Sequence, residues 1–332
     1  MNRNREKKMM AKTKKSTGRF KEVNILLVLV FLVISFTILN KRFISIENIS
    51  NLLRSTSIIG VVAIGMTFVI ISGGIDLSVG SIVALSSVIA AKLMTSGVPI
   101  YLSIIISLVT GAIAGLIMGV IIYEAKVPPF IVTLAGLVVF RGTAMLLTSA
   151  KKIIRLPESF THFAVIKVLG LPAMAIVWLL LIAIGVVVAR FTVFGRNIYA
   201  IGSNQEAARL SGINIRASIY KVYALCGFTS AIAGILMTAR LAGGSPSAGS
   251  GYELDAIAAT ALGGTSLTGG IGGVFGTFFG TMIIATISNG GNIMGINPFV
   301  LEIIIGILIV LAVVFDHIRK RRGTQIKIKT KE

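Results

Sequence analysis

YELDAIAATALGG, residues Tyr252–Gly264, is the stretch on which the fold turns. Its 13 residues make about 20 Å of helix, short of the roughly 30 Å hydrocarbon core of a bilayer. Left out as a crossing, it leaves nine apolar spans and puts the two ends of the chain on opposite sides. Counted as a short or broken crossing, it makes ten and returns both ends to one side. Which count holds depends on where the charge lies.

The chain has 332 residues, 55% of them hydrophobic, and a formal net charge of +20. Of its 32 Lys and Arg, 9 fall in residues 1–22, 7 in 316–332 and 5 between Arg190 and Lys221. Basic residues concentrate on the cytoplasmic side of membrane proteins. Three basic segments on one side require an even number of crossings, so ten is the expected count. The segment 150–172 departs from this pattern: it falls outside yet carries Lys151, Lys152, Arg155 and Lys167 against only Glu158. Membrane orientation also accounts for the basic ends without nucleic acid as a partner.

The sequence therefore predicts an all-α, polytopic integral membrane protein of about ten transmembrane helices with one short or broken segment. Spans are expected near 23–40, 52–71, 77–95, 100–122, 129–148, 173–191, 219–241, 252–264, 268–289 and 297–315. Residues 1–22 and 316–332 form basic cytoplasmic tails around a transmembrane domain, 23–315, with a cytoplasmic loop at 192–218. The basic start followed by an apolar run of spanning length reads as a tail and first anchor rather than a cleaved signal. Cys226 is the single cysteine, which rules out an intrachain disulfide. His162 and His317 stand in separate polar segments without metal-ligand spacing, so no metal site is expected.

Glycine, at 36 residues, marks both packing and breaks. GAIAGLIMG (111–119) and GGIGGVFGTFFG (269–280) place small residues at helical spacing, which lets helix backbones approach. SGGIDLSVGS (72–81) and LGGTSLTGGIGG (262–273) are breaks: Gly73 and Gly74 in one, Gly263 and Gly264 in the other, each pair followed three residues on by leucine. Glycine ends helices at little cost because it takes positive φ. Asp76 and Ser78 then offer side-chain oxygens to cap the next helix.

One polar stretch stands apart, GRNIYAIGSNQEAARLSGINI (195–215). Ser203 and Glu206 have the spacing of a capping box, Glu206 and Arg209 can pair three residues apart, and Gly212 supplies a stop. A helix of about two turns does not hold alone in water, so it packs on something. Two partners stay open at this point, its own membrane domain or a groove in another protein.

These residues resemble a family. EAARLSGI (206–213) is similar to the cytoplasmic coupling motif of permease subunits in ATP-binding-cassette importers. GGIDLSVGS (73–81) and GYELDAIAATALGGTSLTGG (251–270) resemble the branch that imports ribose and related monosaccharides. The resemblance runs from about residue 23 to 315. It implies a cytoplasmic ATPase partner, with ATP and magnesium on that partner and no cofactor on this chain. It also implies an extracellular or periplasmic sugar-binding protein, a second permease copy (a homodimer), and residence in a bacterial cell membrane. By position, Ser203, Glu206, Ala207, Ala208, Arg209 and Gly212 take the coupling role. No Gly-Lys dipeptide occurs, so the chain has no Walker A loop, in keeping with the transport subunit, not an enzyme, that the resemblance implies.

Ionisable residues inside a membrane are functional candidates. Arg141, Glu253 and Asp255 are such residues, and Asn289 and Asn292 offer amides to sugar hydroxyls. Each has a structural reading beside the functional one: Arg141 can neutralise an acid or tie a broken helix end, and the two asparagines can cap a helix. A secondary transporter driven by an ion gradient is the alternative function, since glycine-broken helices serve that class too. It leaves the Glu206–Gly212 helix without a role.

Overall fold

The computed structural model describes residues 25–308 together with 310, 311 and 314. The two basic tails lie outside the described residues. The chain is 77% helical, with 13 helices among the described residues. In chain order these are α1 (Ile25–Leu39), α2 (Ile46–Ile71), α3 (Val79–Thr95), α4 (Ile100–Glu124), α5 (Pro129–Thr148), the one-turn α6 (Glu158–Thr161) and α7 (Ala173–Phe191). They continue with α8 (Val193–Ser203), α9 (Gln205–Leu210), α10 (Ile215–Arg240), α11 (Tyr252–Leu262), α12 (Val274–Ile293) and α13 (Pro298–Leu308). The only strands among the described residues are β1 (Lys167–Val168) and β2 (Leu171–Pro172), a minimal antiparallel pair. The all-α expectation holds.

Among the described residues six helices are long and apolar enough to cross a membrane: α2, α4, α5, α7, α10 and α12. α1, α3 and α13 are shorter apolar helices, and α11 has 11 residues. The helices start where local chemistry says they should. Pro129 occupies the first turn of α5, where a missing N–H costs nothing. Thr192, Asn204 and Asn214 cap α8, α9 and α10 in succession, each side chain accepting a backbone N–H at 2.9–3.0 Å. Ser45 caps α2, which is why that helix begins six residues before the expected 52. α12 begins at Val274 rather than 268, because Gly269, Gly270 and Gly272 hold positive φ and cannot continue a helix.

α2 and α10 form the centre. α10 packs against α2, α3 and α4, and α2 against α7, α10, α11 and α12. α4, α5 and α7 are peripheral and present Ile105, Val109, Val138, Leu146, Leu180 and Ile184 outward. Such an apolar exterior suits hydrocarbon rather than water. The α4–α10 seam needs its glycines: a β-carbon on Gly111 would stand 2.7 Å from the Gly227 carbonyl oxygen, and one on Gly115 would stand 3.0 Å from the Gly227 nitrogen. GAIAGLIMG is therefore a helix-packing motif. GGIGGVFGTFFG serves α11 in the same way, with Gly280 only 2.8 Å, measured from an added β-carbon, from the Gly263 nitrogen.

The α2 and α11 breaks share one geometry, in a register one residue away from the sequence match. Gly73 (φ +90°) donates to Ile70 O, and Gly74 to Val69 O. Gly264 (φ +83°) donates to Ala261 O, and Thr265 to Thr260 O. Gly73 thus corresponds to Gly264, not to Gly263, because the left-handed residue sets the frame of this C-terminal motif. After the first break Asp76 turns the chain: its Oδ1 accepts the Ser78 amide at 2.9 Å and the Ser78 hydroxyl at 2.6 Å. Ser78 itself makes no side-chain cap, since its hydroxyl is spent on Asp76.

The basic segment 150–172 has a local explanation. Lys152 Nζ donates to Leu241 O, at the end of α10, at 2.9 Å. Lys92 does the same for Leu147 O at the end of α5, at 3.0 Å. Cations belong at helix C-termini, where carbonyls lack partners.

Candidate functional site

The polar stretch folds as two helices, not one. Residues 193–203 form α8, whose Gly195, Ile198 and Ile201 face inward, and α9 follows after the extended residue Asn204. The capping-box reading of Ser203 and Glu206 is overturned. Ser203 is the last residue of α8, and Asn204 Oδ1 takes the Ala207 amide at 2.9 Å. Both residues are of capping type, and the extended φ/ψ that a cap needs falls on Asn204. Glu206 and Arg209 do pair, at 2.9 Å, with side chains 72% and 68% exposed. Gly212 ends the unit at φ +78°.

α9 has two faces. Ala208, 3% exposed, packs with Ile201 and Ile215 on the helical domain. Gln205, Glu206, Ala207, Arg209 and Leu210 are exposed, and Leu210 is 83% so. The first of the two packing partners is therefore present in the chain itself, through Ala208 alone. Leu210, apolar and exposed beside the charged pair, reads in the sequence as one more helix former. Beneath α9 a cleft of about 650 Å³ opens between Arg209 and Glu206, the α4–α5 turn at Lys126–Pro129, and the α2 break at Ser72–Gly74.

This polar end is locked to the core by backbone contact. Gly270 donates its N–H to Ile71 O at 2.9 Å, and Gly202 of α8 lies across that bond. A β-carbon on Gly202 would stand 2.7 Å from the Gly270 nitrogen and collide with the Ile71 oxygen. One on Gly269 would stand 3.0 Å from Gly73 Cα. Three segments, the ends of α2 and α8 and the turn before α12, thus meet with no side chain between them. Tyr199 adds a strut: its hydroxyl donates to Gly272 O at 2.8 Å, and burial pushes the phenol's pKa up, which keeps that donor protonated. Phe194 stacks on Phe68 of α2 at 6.1 Å. α8 is thus in direct contact with the end of α2 and with the turn that leads into α12.

The membrane-embedded candidates separate. Arg141, on α5, donates through Nη1 to Ala248 O at 2.6 Å and Pro246 O at 2.9 Å. It ties the non-helical stretch ahead of α11, and although it senses the Glu253 charge the two form no ion pair. Glu253 Oε2 is buried with no hydrogen-bond partner, against Gly80 of α3. Asp255 lies two residues further along the first turn of α11, on nearly the opposite side of the helix. Asn289 caps nothing: it pairs reciprocally with Asn48 of α2, both amide bonds at 2.9 Å. That pairing consumes the amide expected to face solute. Asn292 is exposed. Arg141 thus ties the stretch that leads into the turn of α11 bearing Glu253 and Asp255, while the asparagines stand elsewhere. Among the described residues no cluster of His, Cys, Asp or Glu has the makings of a metal site.

Helices of spanning length with apolar exteriors, joined through glycines to an exposed polar pair at one end, define a multi-pass membrane protein. Comparison with known proteins agrees. Residues 48–313 match the family model of the permease component of branched-chain amino acid transport systems. The ribose import permease protein RbsC of Bacillus subtilis is 45% identical over 87% of this chain and 90% of its own length. RbsC of Haemophilus influenzae is 41% identical over 90% and 94%. The xylose transport system permease protein XylH of Escherichia coli is 38% identical over 85% and 87%. No solved structure matches. The chain belongs to this permease family, the membrane subunits of ATP-binding-cassette importers. It is a transport component, and ATPase activity resides in a separate subunit; the ion-driven alternative finds no support among these relatives.

Proposed function

We propose that this chain carries ribose, or a closely related monosaccharide, across a bacterial cell membrane into the cytoplasm. The observation that carries the reading is the 45% identity to a ribose import permease over nearly the full length of both chains. A cytoplasmic ATPase, holding ATP and magnesium, drives the cycle, and an external sugar-binding protein delivers the solute. Two copies of this chain enclose the pathway. Ten crossings, with α11 and the non-helical stretch before it completing one, keep both basic tails in the cytoplasm beside α8 and α9.

In this reading the exposed face of α9, with Glu206, Ala207, Arg209 and Leu210, enters a cleft of the ATPase. Ser203 and Ala208 hold the element on its own domain, and Gly212 ends it. Closure of the ATPases pushes α9, and the glycine junction at Gly202, Gly269 and Gly270 passes the displacement to α2 and α12. Arg141, Glu253 and Asp255 border the pathway. Asn289 has its amide committed to Asn48, which supports a structural role for it.

Uptake of labelled ribose in the native cell, with and without this gene, tests the cargo. Loss on deletion, with competition by unlabelled ribose and not by xylose, galactose, arabinose or nucleosides, is the expected result. Ribose uptake that survives deletion would retire ribose and send the same assay to the other sugars.

A further inference from the structure

Between α10 and α11 the chain runs without helix from Leu241 to Gly251, and the contacts of this stretch fix its depth in the bundle. At one end Gly244 lies against Ala91 and Ser87 of α3; at the other Gly249 lies against Val83 and Gly80. Ala91 and Gly80 are separated by about 16 Å along the α3 axis at 1.5 Å per residue. Between the midpoints of the two contact pairs the stretch descends beside α3 by about 11 Å, roughly a third of the thickness of a hydrocarbon core. It is held there by side chains: Arg141 takes Pro246 O and Ala248 O, and Ser87 Oγ accepts the Ser245 amide at 3.4 Å.

Non-helical backbone at this depth is tolerated where protein buries it or where it lines a water-filled cavity. One side of the stretch meets the first condition, with Gly243, Gly244, Pro246, Ala248 and Gly249 buried. The other side does not. Ser247 and Ser250 are exposed, Ser245 Oγ lies 2.9 Å from Ser247 Oγ, and Leu254 is the one apolar side chain exposed between 245 and 255. Hydrocarbon is a poor cover for such a face, because hydroxyls there find no partner. The exterior of α5 and α7 shows what a lipid-facing surface carries, Val138 and Ile184. At the foot of the serine face Glu253 Oε2 is buried with no hydrogen-bond partner, an acceptor for a hydroxyl that the chain itself does not provide.

We infer that the serine face of this non-helical stretch, Ser245, Ser247 and Ser250, with Glu253 at its inner end, lines the solute pathway and supplies hydroxyl and carboxylate contacts to a polyhydroxylated solute. The inference rests on the permease reading and deepens it by naming the lining. Serine hydroxyls both donate and accept, and a carboxylate accepts, which is the set a sugar's hydroxyls need. Arg141 is a positioning residue: it pins the turns of the stretch through the Pro246 and Ala248 carbonyls, leaving Ser247 and Ser250 exposed.

Single-cysteine labelling in the complete transporter tests this. Cys226 is fully buried, so the parent chain gives a low background. Ser247→Cys and Ser250→Cys are near-isosteric, and Ile184→Cys on α7 is the lipid-facing control. The probe is a charged, membrane-impermeant methanethiosulfonate, added to vesicles during ATP-driven turnover so that both orientations of the pathway are visited. The expected result is labelling of both serine variants at least tenfold faster than Ile184→Cys, slowed by saturating ribose. Labelling of both variants no faster than the control, in protein of normal abundance, would overturn the lining. Fast labelling that xylose slows and ribose does not would uphold the lining and overturn the ribose reading instead.

Discussion

Gly202→Ala is the sharpest perturbation the structure offers. Gly202 sits on the Gly270 N–H to Ile71 O bond, and its new β-carbon would stand 2.7 Å from the Gly270 nitrogen, with the Ile71 oxygen nearer still. Neither neighbour is the far end of a flexible side chain, so backbones must part. Overpacking of this kind costs about 1–3 kcal/mol. Weakening the buried backbone bond adds about 1 kcal/mol. Alanine's better helix propensity, at the end of α8, returns up to about 1 kcal/mol. The net, about 1–3 kcal/mol, falls on the junction between α8 and α2. If that junction couples ATPase closure to the pathway, a loss of this size reduces coupling roughly 5- to 150-fold. In proteoliposomes, ATP hydrolysis should persist while solute moved per ATP falls at least fivefold. Gly142→Ala is the control, because a β-carbon there meets nothing within 4 Å; it should leave uptake intact. Wild-type coupling in Gly202→Ala would refute the transmission route.

Three further outcomes are expected. Glu206→Lys replaces a 72%-exposed partner of Arg209, and exposed pairs of this kind contribute little to folding; abundance should stay normal while co-purification of the ATPase drops, and unchanged association would remove Glu206 from the docking face. Asn204→Ala should cost about 1 kcal/mol and speed hydrogen exchange in α9, while Ser203→Ala should not, and the reverse order would restore Ser203 as the cap. Arg141→Ala frees two carbonyls that accept from a guanidinium, a loss on the order of 3 kcal/mol, and should abolish uptake or assembly; Arg141→Lys, with one point charge for a fork, should recover only part of it.

Sequence reading reached the helices whose apolar runs have spanning length, because a run such as Ile100–Glu124 admits no other fold. It reached the glycine breaks as well, since Gly73 and Gly264 carry the positive φ that a helix end requires. It missed by six residues at the start of α2 and of α12, where Ser45 and the Gly269–Gly272 turn decide. The cap of α9 went to Ser203 instead of Asn204 because side-chain type alone does not say which of two adjacent candidates is extended. Arg141 was legible as a buried charge, but its carbonyl partners lie more than a hundred residues away, so its choice of loop over carboxylate was not. The Asn48–Asn289 pair was hidden for the same reason: it spans 241 positions. Gly202 carried no signal of its own among 36 glycines, since its importance comes from Ile71 and Gly270 meeting across it.

Reconstitution tests the central claim most directly. This chain, purified with its ATPase and placed in liposomes, is given the binding protein outside, ATP and magnesium on the ATPase side, and labelled ribose. The account predicts ribose accumulation that requires ATP, the binding protein and the ATPase together, and that fails when any one is withheld. Accumulation by this chain alone, driven by an imposed ion gradient without ATP, would contradict it.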